Sequence, residues 1–198
     1  GYDSLRKAIA DYEHQKGVFY KSNEVIVTIG ATEALFDALF AVIEPGDEVI
    51  VPVPAFSLYE SIITMCDGKT VRLDTRESGF QIEEEQLRTA YSTRTKAVIL
   101  NSPNNPTGTV YTEETLTCLH EFFKDKPVFI ICDEVYSQLA FGTHRSLASC
   151  EDLKAQLIVV QSFSKPYAMT GFRAGYLLAD RPIVELSLIH ISEPTRPI

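Results

Sequence analysis

Ser162-Phe163-Ser164-Lys165-Pro166-Tyr167-Ala168-Met169-Thr170-Gly171-Phe172-Arg173 follows directly on the apolar run Leu157 to Val160. That run is short and rich in β-branched residues, as a buried parallel strand is. The stretch therefore reads as the chain leaving a sheet at its carboxyl edge, where open α/β sheets bind their ligands. A lysine there, set between small hydroxyl residues, can be partly desolvated and made nucleophilic near neutral pH, which suits Schiff-base chemistry. Ser162, Ser164 and Arg173 offer short donors and a planar fork that match the oxygens of an anion. Taken alone, the same text also describes a solvated loop lysine, so the other strand ends must supply its partners.

Upstream, the same pattern repeats. Val25 to Thr28 reads as a strand, and Gly30-Ala31-Thr32-Glu33-Ala34-Leu35 as a tight turn opening a helix with Leu35, Ala38, Leu39 and Val42 on one face. A helix beginning at a sheet edge turns its free N–H groups toward that edge and can cradle phosphate. The plainer alternative is that Thr32 only caps the helix. Glu48 to Val51 is the next strand, and Pro52-Val53-Pro54-Ala55-Phe56 leaves it stiffly. Phe56 is thereby placed to cover a flat ligand or simply to pack in the core. Strands follow at Thr70 to Leu73, Lys96 to Leu100, Val128 to Cys132 and Gly175 to Leu178, the last expected to run antiparallel because no crossover helix fits before it. Helices are expected at Ser57 to Met65, around Glu83 to Ala90 and at Thr112 to Phe123. The first helix carries Leu5, Ile9 and Tyr12 on its apolar face, capped by Asp3 or Ser4 and stopped at Gly17.

Two strand ends carry more chemistry. Asn101-Ser102-Pro103-Asn104-Asn105-Pro106-Thr107-Gly108 concentrates turn residues, offers an Asn-Pro bond suited to the cis form, and presents the Asn105 amide to the edge. Asp133, Glu134 and Tyr136 follow an entirely apolar strand. An acid in that position needs a partner to offset its desolvation, so Asp133 calls for a cation or a protonated ring nitrogen.

The bulk properties limit the classes of function. With 198 residues, 45% hydrophobic and 23% charged, the chain suits one large domain. A net charge of -9 argues against nucleic acid as a partner. No apolar run approaches the roughly 20 residues of a membrane span, and no basic-then-apolar leader opens the sequence. Cys66, Cys118, Cys132 and Cys150 lack metal-ligand spacing and read as reduced thiols of a cytoplasmic protein. His14, His120 and His144 are expected at the surface, and His190 is not taken as a site.

Together these strand ends resemble the class I and II aminotransferases, the fold type I pyridoxal-phosphate enzymes. The resemblance lies in Gly30 to Leu35, Asn101 to Gly108, Asp133-Glu134-Val135-Tyr136, Ser162 to Lys165 and Gly171-Phe172-Arg173-Ala174-Gly175, in that order, from residue 1 to about Glu185. It implies an α/β fold, a three-layer α/β/α sandwich around a mainly parallel seven-stranded sheet. It implies that Lys165 is the catalytic residue, holding pyridoxal 5'-phosphate as a Schiff base and shuttling a proton. Asp133 would pair with the cofactor's pyridine nitrogen, Tyr136 and Asn105 with its phenolic oxygen, and Phe56 would stack on its ring. Ala31, Thr32, Ser162, Ser164 and Arg173 would hold the phosphate, with Gly30 also among the cofactor-binding residues. The substrates would be an amino acid and a 2-oxo acid, the full-length protein a homodimer, and the bonds before Pro54 and Pro106 cis.

The resemblance also sets expectations where this text departs from it. Family members are longer, with an N-terminal arm and a small C-terminal domain bearing the arginine that grips the substrate carboxylate. Residues 1–185 are accordingly expected to be a large domain incomplete at both ends. The family would continue as an amphipathic helix where this chain has Leu186 to Ile198, with two prolines. That segment reads as a non-native tail of the kind left by translated adapter sequence. A β-lyase or cyclopropane-forming synthase on the same scaffold is the nearest alternative activity, and a non-catalytic regulatory module or an inert fragment is the alternative outside catalysis.

Overall fold

The computed structural model describes the backbone of residues 1–192 and the side chains of residues 1–187. Seven strands form one sheet: β1 (Val25–Thr28), β2 (Glu48–Val53), β3 (Lys69–Asp74), β4 (Thr95–Asn101), β5 (Phe129–Asp133), β6 (Leu157–Ser162) and β7 (Gly175–Ala179). They lie in the order β1-β7-β6-β5-β4-β2-β3. The pairs β2–β3, β2–β4, β4–β5 and β5–β6 are parallel, whereas β7 is antiparallel to both β6 and β1. The reversal at β7 was legible because so few residues separate it from β6.

Strand alternation divides the core into two layers. Val49, Val51, Ile99, Ile131, Ile158, Val160 and Leu177 pack on one face with α2 (Ala31–Val42), α3 (Leu58–Met65) and α6 (Arg181–Ser192). Ile50, Val98, Leu100, Ile130, Leu157, Val159 and Leu178 pack on the other with α1 (Asp3–His14), α4 (Glu84–Ala90) and α5 (Glu113–Phe123). Each such side chain, fully buried, contributes on the order of 1.5–3 kcal/mol. This is the expected three-layer α/β/α arrangement.

Local details differ from the sequence reading. Helix α1 begins at Asp3 after Tyr2, with no side-chain cap from Asp3 or Ser4. Leu5 is exposed, and the buried face is Ile9, Ala10 and Glu13. Glu13 is tolerated there because Tyr176 Oη and Lys16 Nζ both donate to its Oε1, each at 2.6 Å. Thr112 does cap α5, accepting from the Thr115 N–H at 3.3 Å. Between β5 and β6 the chain crosses by short 3-10 turns, Ser137–Leu139, Leu147–Ser149 and Glu151–Gln156, in place of an α-helix. The bonds before Pro54 and Pro106 are cis, and so is Ser102–Pro103.

Helix α6 runs across residue 185 without a break, its Ile183, Val184 and Ser187 buried. Of the segment expected to be non-native, residues 193–198 lie outside the described residues, as does the His190 side chain. No helix of the described residues is long and apolar enough to cross a membrane.

Candidate functional site

Because six of the seven strands run the same way, their carboxyl ends share one edge of the sheet. Register fixes the neighbours there: Asn101 lies opposite Asp133, and Ser162 opposite Gly175. A cavity of about 240 Å³ opens at this edge, lined among others by Ala31, Thr32, Phe56, Asn105, Asp133 and Tyr136, with Ser162, Ser164, Lys165 and Arg173 at its other side. Of the site residues read from the sequence, only Gly30 is not in the lining; it contacts Arg173 instead.

At the floor is Asp133, 4% exposed. Burial raises its pKa, while hydrogen bonds from Tyr59 and from the Val135 N–H act to lower it. The Tyr59 hydroxyl donates to Asp133 Oδ2 at 2.5 Å and the Val135 N–H to Oδ1 at 3.3 Å. No cation lies among these donors, so the acid still calls for one. Asn101 locks the floor: its Nδ2 donates to the Asp133 carbonyl at 2.9 Å, and its Oδ1 accepts from the Asn105 N–H at 2.7 Å. One buried amide thus ties the turn after β4 to the end of β5 and sets where Asn105 stands.

One corner of the cavity gathers groups that could hold an anion. Gly30 precedes α2 with φ +84°, a left-handed conformation that favours glycine. A Cβ there would lie 2.7 Å from an Arg173 Nη atom, so the absent side chain is what lets the guanidinium close on the helix start. Gly175 is equally constrained, since a Cβ would meet the Gly30 carbonyl carbon at 2.7 Å and the Ala31 nitrogen at 2.8 Å. Ser162 Oγ accepts from the Ser164 N–H at 3.0 Å, which leaves its hydroxyl proton free to donate. Thr32 lies inside the first turn of α2 and does not cap it, because the cap position belongs to Gly30. The capping alternative is therefore set aside, and Thr32 lines the cavity.

Lys165 stands at the mouth, with Nζ 5.7 Å from the centre of the Tyr136 ring. Its side chain is exposed, so the partial desolvation expected of it is not present. The loop after β6 carries it outward, away from the apolar layers. Phe56 is half-buried, its ring meeting Tyr59 edge-on at 5.7 Å and 84°.

The sequence reading missed Tyr59 and Asn101. Tyr59 lies three residues after Phe56, a helical spacing that puts both on one side of the turn into α3. Asn101 was read only as a turn residue, although it is the last residue of a buried strand. His144 also differs from expectation. It is half-buried, its pKa lowered by desolvation, and its Nε2 has no hydrogen-bond partner. His14 is exposed, and His120 is partly covered, its Nε2 2.7 Å from Asp152 Oδ2. All four cysteines are free thiols.

The family model of the class I and II aminotransferases matches residues 1–194. A probable N-acetyl-LL-diaminopimelate aminotransferase of Bacillus subtilis is 38% identical over 188 residues, covering 93% of this chain and 47% of the relative. An aspartate aminotransferase of Geobacillus stearothermophilus is 39% identical over 190 residues, covering 93% and 48%. Among solved structures, aspartate aminotransferase from Thermus thermophilus with maleate superposes with a TM-score of 0.91 at 34% identity, covering all of this chain and 52% of that one. An aromatic aminotransferase from Pyrococcus horikoshii gives 0.92 at 33% identity, covering 100% and 54%. The chain spans about half the length of the curated relatives it matches.

Proposed function

The chain belongs to the class I and II aminotransferases, and from that membership we propose that it is the cofactor-binding domain of a pyridoxal-phosphate-dependent enzyme that exchanges an amino group between an amino acid and a 2-oxo acid. The observation that carries this reading is the convergence, on one cavity, of a lysine, a buried acid lacking a cation and an anion corner.

The residues fit the group. The donors at the anion corner are a guanidinium, two serine hydroxyls and the first-turn N–H groups of α2, a set suited to a phosphate dianion. Asp133 would take a protonated ring nitrogen as the cation its burial demands. Phe56 would cover one face of a planar ring, and Asn105 and Tyr136 would hold a phenolic oxygen. When bound, pyridoxal phosphate supplies an electron-poor ring that accepts the electron pair of the substrate Cα–H bond. Lys165 Nζ would hold the reactive carbon before substrate arrives and, once released, carry the proton away from Cα. Its exposed position at the mouth supports that role, since entering substrate would meet it there.

Reduction of the cofactor-loaded protein with borohydride, followed by peptide mapping, tests the assignment. The pyridoxyl label is expected on the peptide containing Lys165, and Lys165→Ala should abolish both label and transamination. A label on another lysine overturns the reading. The relatives named for aspartate make aspartate the first amino donor to assay.

A homodimer is part of the proposal. Ile29 and Phe172, 66% and 75% exposed, flank Gly30 and Arg173, so apolar surface borders the anion corner. Residues 1–185 as the large domain, residues 186–198 as non-native sequence and a cytoplasmic location are also proposed. The location is supported by four free thiols, and the tail is tested by resequencing the gene across Glu185.

A further inference from the structure

Asp133 accepts one hydrogen bond on each carboxylate oxygen. The two donors fix its rotation and leave a lone pair on each oxygen for whatever approaches from the cavity. They are not equal. The bond from the Val135 N–H is long, at 3.3 Å, whereas that from Tyr59 is 2.5 Å, the length of a strong O–H···O⁻ contact. Tyr59 is itself 2% exposed, and its hydroxyl makes this contact inside the sheet-and-helix core.

Three features make Tyr59 more than a packed ring. The donor is neutral, so it orients and stabilises the ionised acid without cancelling the charge that the acid presents to the cavity. An arginine or lysine in its place would satisfy the acid and remove its demand for a cation. Its ring also meets Phe56 edge-on, and its N–H donates to the Phe56 carbonyl at 3.2 Å. The wall that would cover a planar ligand and the donor that orients the floor are therefore held on one short turn. Finally, the contact spans 74 residues, tying the start of α3 to the end of β5.

We propose that Tyr59 is a positioning residue for the cofactor, keeping Asp133 ionised and correctly turned toward the ring nitrogen. The proposal rests on the reading of Asp133 given above.

The test is a double-mutant cycle of Tyr59→Phe and Asp133→Asn in the cofactor-loaded protein. Its readouts are the Kd for pyridoxal phosphate, from absorbance titration, and the pH at which the bound cofactor's absorption band converts. Tyr59→Phe keeps the ring against Phe56 and removes only the donor. A hydrogen bond to a charged group is worth about 10-fold or more in affinity, so Kd should rise by about that factor. The spectral transition should move up by on the order of one pH unit, because an acid without its donor competes for the ring's proton. In the Asp133→Asn background the same change should have almost no effect.

Replacement of Tyr59 by 3,5-difluorotyrosine keeps the shape and strengthens the donor. It should move the transition down, and it serves where Tyr59→Phe fails to fold. Equal effects of Tyr59→Phe in both backgrounds would assign Tyr59 a packing role and overturn the proposal. So would wild-type behaviour of Tyr59→Phe alongside an impaired Asp133→Asn. If Asp133→Asn itself leaves Kd and spectrum unchanged, the reading of the acid fails instead.

Discussion

Glu134 follows Asp133 in the chain and serves the opposite layer. It is 6% exposed, its Oε2 is 3.5 Å from Gln161 Nε2, and burial pushes its pKa up to about 8. The unfolded chain ionises the same group near about 4.3. Between these values the native state holds a proton that the unfolded state has lost, so this residue lowers stability as pH rises from about 4.3 to about 8. Glu134→Gln should therefore raise the melting temperature at pH 8 and leave it almost unchanged at pH 4, measured by calorimetry at both; an equal gain at both would contradict the shift. Asp133 was legible in the sequence because an acid after five apolar residues has no innocent explanation. Tyr59 was not, because its reason for being there lies 74 positions away. The burial of Glu13 was illegible on the same ground: nothing near it in sequence announces the Tyr176 hydroxyl that makes its burial tolerable.

Among the elements, the strands were read most fully, since those of the sheet interior are apolar runs bounded by turn residues in a sheet covered on both faces, whereas the edge strand β3 buries only Leu73. The chain between β5 and β6 was not readable as a helical crossover, because it lacks a helical period and crosses by short 3-10 turns. What the elements demand of each other is clearest where they touch without side chains. Gly175→Ala drives a methyl group into the backbone of Gly30 and Ala31 and should destabilise the fold by about 1–3 kcal/mol, as overpacking does. Urea unfolding checks this. Asn101→Ala removes both ends of the tie between β4 and β5, taking a donor from the Asp133 carbonyl and an acceptor from the part-buried Asn105 N–H. A cost of about 1–3 kcal/mol per orphaned group is expected, with looser binding of pyridoxal phosphate as Asn105 loses its anchor. Unchanged affinity in a folded Asn101→Ala variant would deny that role.

For the molecule as a whole, ligand and assembly become measurable as stability. Pyridoxal phosphate at about 100 times its Kd should stabilise the protein by about 2.7 kcal/mol through mass action, and Arg173→Ala should erase most of that gain while leaving the unliganded melting temperature nearly unchanged. The proposed dimer makes a second demand. Replacing Ile29 and Phe172 together with lysine should yield a monomer by analytical ultracentrifugation, and persistence of a dimer would place the interface elsewhere. The sheet order carries a temporal consequence too. Because β1 is bonded, among the described residues, to β7 alone, residues 25–28 wait until residues 175–179 have been made before they meet their neighbour. The anion corner, which needs Gly30 beside one and Arg173 beside the other, thus cannot close until both have been made, and nascent chains arrested before Gly175 should remain open to protease at residues 25–32.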